Sequence, residues 1–278
     1  MKPDVHLHLI AYNQATWDGI APGWLKLDNR ANPRPDWFEY WPLRQHLLNT
    51  PLDEGAFYGF FSPKFSAKTQ LSHAQVTQFV QDAAIDGADV VLFSPQPDMG
   101  AFFLNVFEQG ETFDAGLIEA FASFLHHIGR SVDLRALVMD SRQIVFSNYF
   151  VARPAFWRDW LALNEQLFAV CEGPDSPLNA ALTPATTYPG AVQRKVFLME
   201  RVASLLLTLD ARWKTKAHDP FGMGWSMSRM RDYPTEAVIS DALKIAWRDQ
   251  GFATYLQAFG RVREHFGRHG APLGGPMR

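Results

Sequence analysis

Short apolar runs alternate with amphipathic stretches along most of this chain. Runs rich in β-branched and aromatic residues predict four strands, at 5–10, 56–61, 88–93 and 145–152. Apolar positions at helical spacing predict helices at 73–84, 115–129, 154–169 and 196–209. Strands that alternate with helices are typical of an α/β fold whose mostly parallel sheet is covered by helices on both faces. We therefore expect a mostly parallel central sheet flanked by helices.

Capping signals and the end of the chain refine this organisation. Asp36 is suited to the N-cap of a helix that runs to about Leu48, with Glu39 in the capping-box position three residues later. A last helical stretch covers about 235–266. The pattern predicts an α/β domain over 1–215 and a loop with a helical C-terminal extension over 216–278, packed on that domain.

Ligands of parallel sheets bind beyond the carboxyl ends of the strands. The loops after positions 10, 61, 93 and 152 are therefore expected at one edge of the sheet. Among the polar side chains that these loops carry are Tyr12, Lys64 and Arg153.

Bulk composition limits the classes of function. The chain has 278 residues, 47% of them hydrophobic, which is enough for a large core. A net charge of −3 argues against a nucleic-acid partner held by its phosphates. The one cysteine, Cys171, excludes an internal disulfide and fits a reducing compartment. With neither a signal-peptide core nor an apolar run long enough for a membrane span, the sequence predicts a cytoplasmic protein.

The segment 28–69 concentrates candidate chemistry. An Asn-containing loop and a Trp/Tyr cluster precede the apolar strand at 56–61, which runs directly into Ser62-Pro63-Lys64. A lysine at such a strand end can present a positive charge to an anionic ligand, and Lys68 follows four residues later. Either lysine could equally be an ordinary solvated surface residue.

Three further polar residues occupy apolar surroundings. Glu111 follows Gly110 at the end of a predicted helix and is a candidate general base. Glu200 lies on an apolar helix, where a buried and unpaired carboxylate would be costly, so Arg201 or a ligand hydroxyl must satisfy it. Asn148 interrupts an apolar strand, and its amide needs a partner in the backbone or in a ligand.

Several of these features, in this order, resemble a known family. They are the loop 29–32, the aromatic run 37–41, the strand 57–59 with its basic exit at Lys64, the Asn-aromatic strand 147–151, the Trp-rich helix 156–161 and the pair Glu200-Arg201. This succession resembles the bacterial capsular and exopolysaccharide glycosyltransferases of GT-A type. The resemblance covers about two thirds of the chain.

The resemblance implies a GT-A-like fold and transfer of a sugar from a nucleotide-sugar donor to a surface-polysaccharide or lipid-linked acceptor. On this interpretation Lys64, with Lys68 beside it, holds the donor diphosphate. Tyr12, Asn29 and Asn32 border the nucleotide, Asn148 adds a donor contact, and Glu111 or Glu200 deprotonates the acceptor. Peripheral membrane contact or a homodimer is compatible with the apolar C-terminal helices.

One departure from the resemblance concerns metal ions. Most GT-A enzymes hold Mg²⁺ or Mn²⁺ through an Asp-x-Asp motif after a strand, and this chain has no such triplet. We therefore expect no cofactor and a metal-independent transfer in which lysines neutralise the diphosphate. The missing motif also favours an alternative, a non-catalytic GT-A-like module that binds a glycan or a partner in polysaccharide assembly. A nucleotidyltransferase is a third, weaker interpretation, because that class relies on acidic metal ligands.

Overall fold

A computed structural model describes residues 2–190 and 192–269 of the chain. In this part of the chain six strands form a single sheet in the order β2-β1-β3-β5-β4-β6. The strands are β1 Val5–Ala11, β2 Leu25–Asp28, β3 Phe57–Phe61, β4 Val90–Leu92, β5 Phe150–Ala152 and β6 Thr215–Ala217. Only β5 is antiparallel to its neighbours. The prediction of a mostly parallel sheet is confirmed.

Helices surround this sheet and extend beyond it. Those in the described residues are α1 Gln14–Asp18, α2 Tyr40–Asn49, α3 Phe65–Thr69, α4 His73–Ile85, α5 Pro97–Ala101, α6 Val106–Phe113, α7 Leu117–His127, α8 Pro154–Cys171, α9 Pro177–Leu182, α10 Arg194–Leu209, α11 Pro234–Gln250 and α12 Ala253–His269. Short 3-10 turns cover Pro35–Trp37, Pro220–Gly222 and Arg229–Asp232.

The sheet separates two apolar cores. Because side chains alternate along a strand, Tyr58 and Phe60 of β3 enter one core while Phe57 and Phe61 enter the other. Gly59 between them leaves no room for a side chain, since an added Cβ would lie 2.9 Å from both the Phe61 ring and Val151. A central strand buried on both faces explains the continuous apolar run in the sequence.

Several predicted boundaries are wrong. The strand expected at 145–152 is reduced to β5, and the short strands β2 and β6 were not predicted. The helix expected from Asp36 begins only at Tyr40, because Phe38 adopts φ 43° and ψ −125° and breaks the backbone after a 3-10 turn. Asp36 is therefore not an N-cap; its carboxylate binds Arg34 and Lys195.

The C-terminal region is built differently from the single helix expected over 235–266. Gly251, with φ 74°, ends α11 and allows α12 to begin at Ala253. Buried Lys244 of α11 donates to the carbonyl oxygens of Gly100 and Phe103, which joins this helix to the region around α5. Strand β6 crosses the predicted boundary at 215/216, while residues 270–278 of the predicted extension lie outside the described residues. The division into two domains remains a prediction.

Candidate active site at the carboxyl edge of the sheet

The direction of β5 determines which loops meet at the ligand-binding edge. The carboxyl ends of the parallel strands lie together, and Asn148 and Tyr149 join them because they precede the antiparallel β5. Arg153 follows β5 and lies at the opposite edge, where its backbone N–H donates to the Asp89 carbonyl at 3.0 Å. The expectation that the loop after 152 faces the ligand is wrong for this reason.

Glu39 and Glu200 interact electrostatically at the ligand-binding edge, and the two are called the carboxylate pair below. Glu39 is the N-cap residue of α2, and Glu200 lies in α10. Burial raises the pKa of Glu39 to about 8, and the negative charge of Glu200 adds to this shift. Burial also raises the pKa of Glu200. Because like charges repel, ionisation of one carboxyl disfavours ionisation of the other.

Lys68 supplies the positive charge next to this pair. Its ammonium group lowers the pKa of both carboxyls, in opposition to burial. The same group donates to the Ser147 hydroxyl at 2.9 Å and lies 5.5 Å from the centre of the Tyr149 ring. Exposed Lys64, just before α3, also acts on the Glu39 carboxyl but more weakly. The ammonium group of Lys68 is thus held in place by a hydrogen bond, whereas the exposed side chain of Lys64 is accessible to solvent or a ligand.

Hydroxyl groups complete the surroundings of Glu39. The Ser62 hydroxyl lowers the pKa of the Glu39 carboxyl by hydrogen bonding and lies 2.5 Å from the Tyr149 hydroxyl. Burial, followed by the Glu39 charge, raises the pKa of the Tyr12 and Tyr149 hydroxyls. Both tyrosines therefore stay protonated at neutral pH and can donate hydrogen bonds.

The segment before β5 carries backbone strain and an unpaired polar atom. Ser147 and Asn148 have φ values of 58° and 52°, a region that residues other than glycine rarely occupy. Asn148 is only 4% exposed, and its side-chain carbonyl oxygen accepts no hydrogen bond from the described residues. Strain and unsatisfied buried groups concentrate at functional sites, because elsewhere they only cost stability.

The predicted donor-binding residues lie at the same edge of the sheet. Half-buried Tyr12 follows β1, and Asn29 follows β2, with its backbone N–H donating to the Ala11 carbonyl at 2.9 Å. The Asn29 amide donates to the Asn32 side chain at 3.2 Å, and Asn32 has φ 38°. The structure thus brings Tyr12, Asn29, Asn32, Lys64, Lys68 and Asn148 to one edge. Their role in donor binding remains a prediction.

The Glu111 carboxylate binds backbone N–H groups at a helix end. One of its carboxylate oxygens accepts from the Gly116 backbone N–H at 2.9 Å, and the other accepts from Ile118 at 2.8 Å. These amides belong to the amino end of α7, where a carboxylate is favoured by the unpaired N–H groups and the helix dipole. Glu111 therefore stabilises the amino end of α7, and its role as a base remains a prediction.

Glu39 is the acid that sequence reasoning missed. Its place three residues after Asp36 suggested a capping box, and the break at Phe38 removes that role. A signal was present, since Glu39 is the one charged residue in the aromatic run Trp37-Phe38-Glu39-Tyr40-Trp41. Tyr149 and Ser62 were overlooked as partners because their proximity depends on the pairing of β3 with β5.

The segment 218–233 packs against this edge and is fixed at several points. Gly224 donates its backbone N–H to the Lys68 carbonyl at 2.8 Å, and its own carbonyl accepts from Gln96 at 2.8 Å. Buried Asp98 accepts from the Ser226 hydroxyl and, at 3.1 Å, from the Ser226 backbone N–H. The segment is thereby attached both to the backbone of Lys68 and to the region around α5.

The described residues contain no group of three or more His, Cys, Asp or Glu side chains arranged to hold a metal ion. None of the helices that the structure describes has the length and apolar character required to cross a bilayer.

Comparisons with known proteins give one structural likeness. The sequence matches no model of a known protein family and no curated protein. A solved structure similar to this chain is the apo form of WbbM, a bifunctional glycosyltransferase, with 13% sequence identity and a TM-score of 0.45. The match covers 77% of this chain and 44% of that protein, so this chain spans less than half of its length. At this TM-score the likeness is too low to assign a fold family or an activity to the chain.

Proposed function

We propose that this protein is a glycosyltransferase that moves a sugar from a nucleotide-sugar donor onto a surface-polysaccharide or lipid-linked acceptor. The observation that carries the proposal is the Glu39–Glu200 pair beside Lys68, at the edge of a parallel sheet where ligands bind. The sequence resemblance to GT-A-type glycosyltransferases supports the same reaction. A nucleotide-sugar donor is consistent with a cytoplasmic location, which is part of the proposal.

The carboxylate pair is suited to general base catalysis. Its ionised member accepts the proton of an acceptor hydroxyl, whose oxygen then forms a bond to the anomeric carbon of the donor sugar. The bond between that carbon and the donor diphosphate breaks at the same time, and the nucleoside diphosphate leaves. A base with a raised pKa is effective near neutral pH, since it is both partly ionised and strongly proton-attracting.

Lys64 and Lys68 are proposed to stabilise the leaving diphosphate. A cation fixed on the protein can neutralise developing charge without a metal ion when it is already in position. The Asn148 carbonyl oxygen and the tyrosine hydroxyls would hold donor hydroxyl or nucleotide groups. A chelator should leave turnover intact. Turnover that is lost with chelator and restored by Mn²⁺ would contradict the metal-independent step.

The proposal is tested with a panel of nucleotide sugars. Calorimetric titration identifies the donor, after which turnover is measured for Glu39→Gln and Glu200→Gln. Each substitution keeps the side-chain shape and removes one member of the pair, so kcat should fall by roughly 10²- to 10⁴-fold in the variant that lacks the base. Glu54→Gln is the matched control, because Glu54 is an exposed glutamate that pairs with Arg158, and this variant should keep full turnover.

Two outcomes would contradict the proposal. If no nucleotide sugar binds, the chain fits the alternative of a non-catalytic glycan- or partner-binding module. If both variants keep normal turnover while Glu111→Gln loses it and still folds, the base is Glu111 and not the pair.

A further inference from the structure

A polar cavity lies beside the 3-10 turn Pro35–Trp37 and the first turn of α10. It has a volume of about 700 Å³, within the range of small-molecule sites. Its wall includes Asp36, Phe38, Asn179, Thr183, Gln193 and Lys195. The carboxylate pair is not part of this wall, so the cavity is a separate place for a ligand.

Two elements connect the cavity to the carboxylate pair. Phe38 lines the cavity, and Glu39 is the next residue in the chain. Lys195 lines it from the first turn of α10, and Glu200 lies five residues further along the same helix. Five residues rise about 7–8 Å and turn the helix by about 140°, so Lys195 and Glu200 point to different sides of α10. The cavity and the carboxylate pair are therefore linked through Phe38 and Glu39, which are adjacent in the chain.

The charges in the cavity wall are balanced. Lys195 is 3% exposed, donates to Asp36 at 2.8 Å and lies 4.1 Å from the centre of the Trp37 ring. Asp36 and Glu172 both pair with Arg34, so two cations face two anions. A phosphate would have to break these ion pairs to bind. A neutral ligand with many hydroxyl groups can instead hydrogen-bond to the Asp36 carboxylate and to the uncharged polar side chains of the wall.

Phe38 gives the cavity an aromatic surface at a strained position. The side chain is 41% exposed although its neighbours Trp37 and Tyr40 are buried. Its φ of 43° and ψ of −125° belong to the first central position of a type II′ turn, where glycine dominates. A bulky aromatic residue kept in this conformation and in contact with solvent suggests a role for the ring itself. The apolar face of a pyranose ring stacks on such a surface.

We propose that this cavity binds the acceptor as a neutral pyranoside, with the sugar ring stacked on Phe38, the residue next to Glu39 in the chain. The acceptor role depends on the proposed glycosyltransferase function. The binding of a neutral sugar in the cavity does not depend on it.

Saturation-transfer NMR with methyl α- and β-glycosides of glucose, galactose, mannose and N-acetylglucosamine tests this binding. At least one glycoside should bind the wild type and Phe38→Tyr, and binding should weaken at least 10-fold in Phe38→Ala and Phe38→Gly. Phe252→Ala, which truncates an aromatic residue that is 59% exposed elsewhere, should bind like the wild type. Glycine suits the backbone angles at position 38, so Phe38→Gly should melt at the wild-type temperature or higher. A loss of binding in this variant is therefore not a loss of folding.

The results separate this inference from the proposed function. The inference is overturned if no glycoside binds, if Phe38→Gly binds as well as the wild type, or if inorganic phosphate displaces the glycoside. If a nucleotide sugar binds and is turned over but Phe38→Gly keeps the wild-type KM for the acceptor, only the inference fails. If Phe38-dependent glycoside binding is found but no nucleotide sugar binds, the cavity is a glycan site and only the proposed function fails.

Discussion

At the scale of single residues, the carboxylate pair is the feature with the most chemical content. Glu39 and Glu200 come from different helices, and each is half-buried beside Lys68. Their mutual repulsion and their attraction to Lys68 act in opposite directions on the proton affinity of the pair. Substitution of one glutamate should therefore change the pKa of the other.

We predict that Glu200→Gln lowers the pKa of Glu39 below its value of about 8. The negative charge of Glu200 disfavours ionisation of Glu39, and glutamine removes that charge without changing the size of the side chain. Carbon-13 NMR of labelled glutamate side chains measures the titration directly. Glu54→Gln should leave it unchanged, and an unaltered Glu39 pKa in Glu200→Gln would show that the two groups do not interact.

A second residue-scale prediction concerns Lys64. Because Lys64 is exposed at the end of β3, we expect Lys64→Ala to weaken donor binding about 10-fold through loss of one charge contact to the diphosphate, worth about 1.4 kcal/mol. Calorimetry with the identified donor measures this affinity. Lys216→Ala, which removes a lysine with a half-exposed side chain from β6, should bind the donor normally. Equal losses in both variants would indicate a general effect of net charge.

At the scale of elements, the approach of the 218–233 segment to α3 depends on one glycine. A Cβ at Gly224 would lie 2.7 Å from the Lys68 carbonyl oxygen, which is backbone and cannot move aside cheaply. The same two residues share the hydrogen bond between the Gly224 N–H and the Lys68 carbonyl. The segment and the lysine-bearing helix are thus coupled.

We predict that Gly224→Ala destabilises the protein by about 1–3 kcal/mol and lowers turnover, since the segment must move away from Lys68. Chemical denaturation and steady-state kinetics measure the two effects. Gly87→Ala is a suitable control, because a Cβ there meets no atom within 4 Å, although its φ of 85° makes a small loss of stability expected. A stable and fully active Gly224→Ala variant would show that the contact does not matter.

Some of the helices and strands could be predicted from the sequence and others could not. The long apolar strands and the helices α7, α8 and α10 follow from periodicity, because each buries a continuous apolar face. The antiparallel direction of β5 does not follow from periodicity, because the sequence of a three-residue buried strand is equally compatible with either direction. Likewise, no local pattern predicts the break at Phe38, because its backbone angles oppose the usual preference of an aromatic residue.

At the scale of the whole molecule, the half-buried carboxyl of Glu39 makes stability depend on pH. Its pKa is about 8 in the folded state and 4.5 in an unperturbed state, so the folded protein binds more protons between these values. The contribution of this group to stability is therefore greatest below pH 4.5 and is lost as the pH rises towards 8.

We predict that Glu39→Gln stabilises the protein at pH 8, by on the order of 1–3 kcal/mol, and has a much smaller effect at pH 5. Glutamine cannot ionise, so it removes the cost of a buried charge that the wild type bears at the higher pH. Thermal unfolding at several pH values measures the difference. A gain that is the same at pH 5 and pH 8 would exclude ionisation of Glu39 as the cause.

The sequence by itself determined the class of fold and the edge of the sheet that carries the chemistry. Apolar periodicity reflects burial, which is the dominant favourable term in folding, and it predicted the parallel sheet with Tyr12, Lys64 and Lys68 at one edge. The family resemblance added Asn29 and Asn148 as donor contacts. Only the tertiary structure decided which acids meet there. Glu39 and Glu200 are far apart in sequence, and their proximity arises from the packing of α2 and α10 around the ends of the strands. The strain at Phe38 and the capping of α7 by Glu111 are also products of that packing, and local sequence patterns do not encode them.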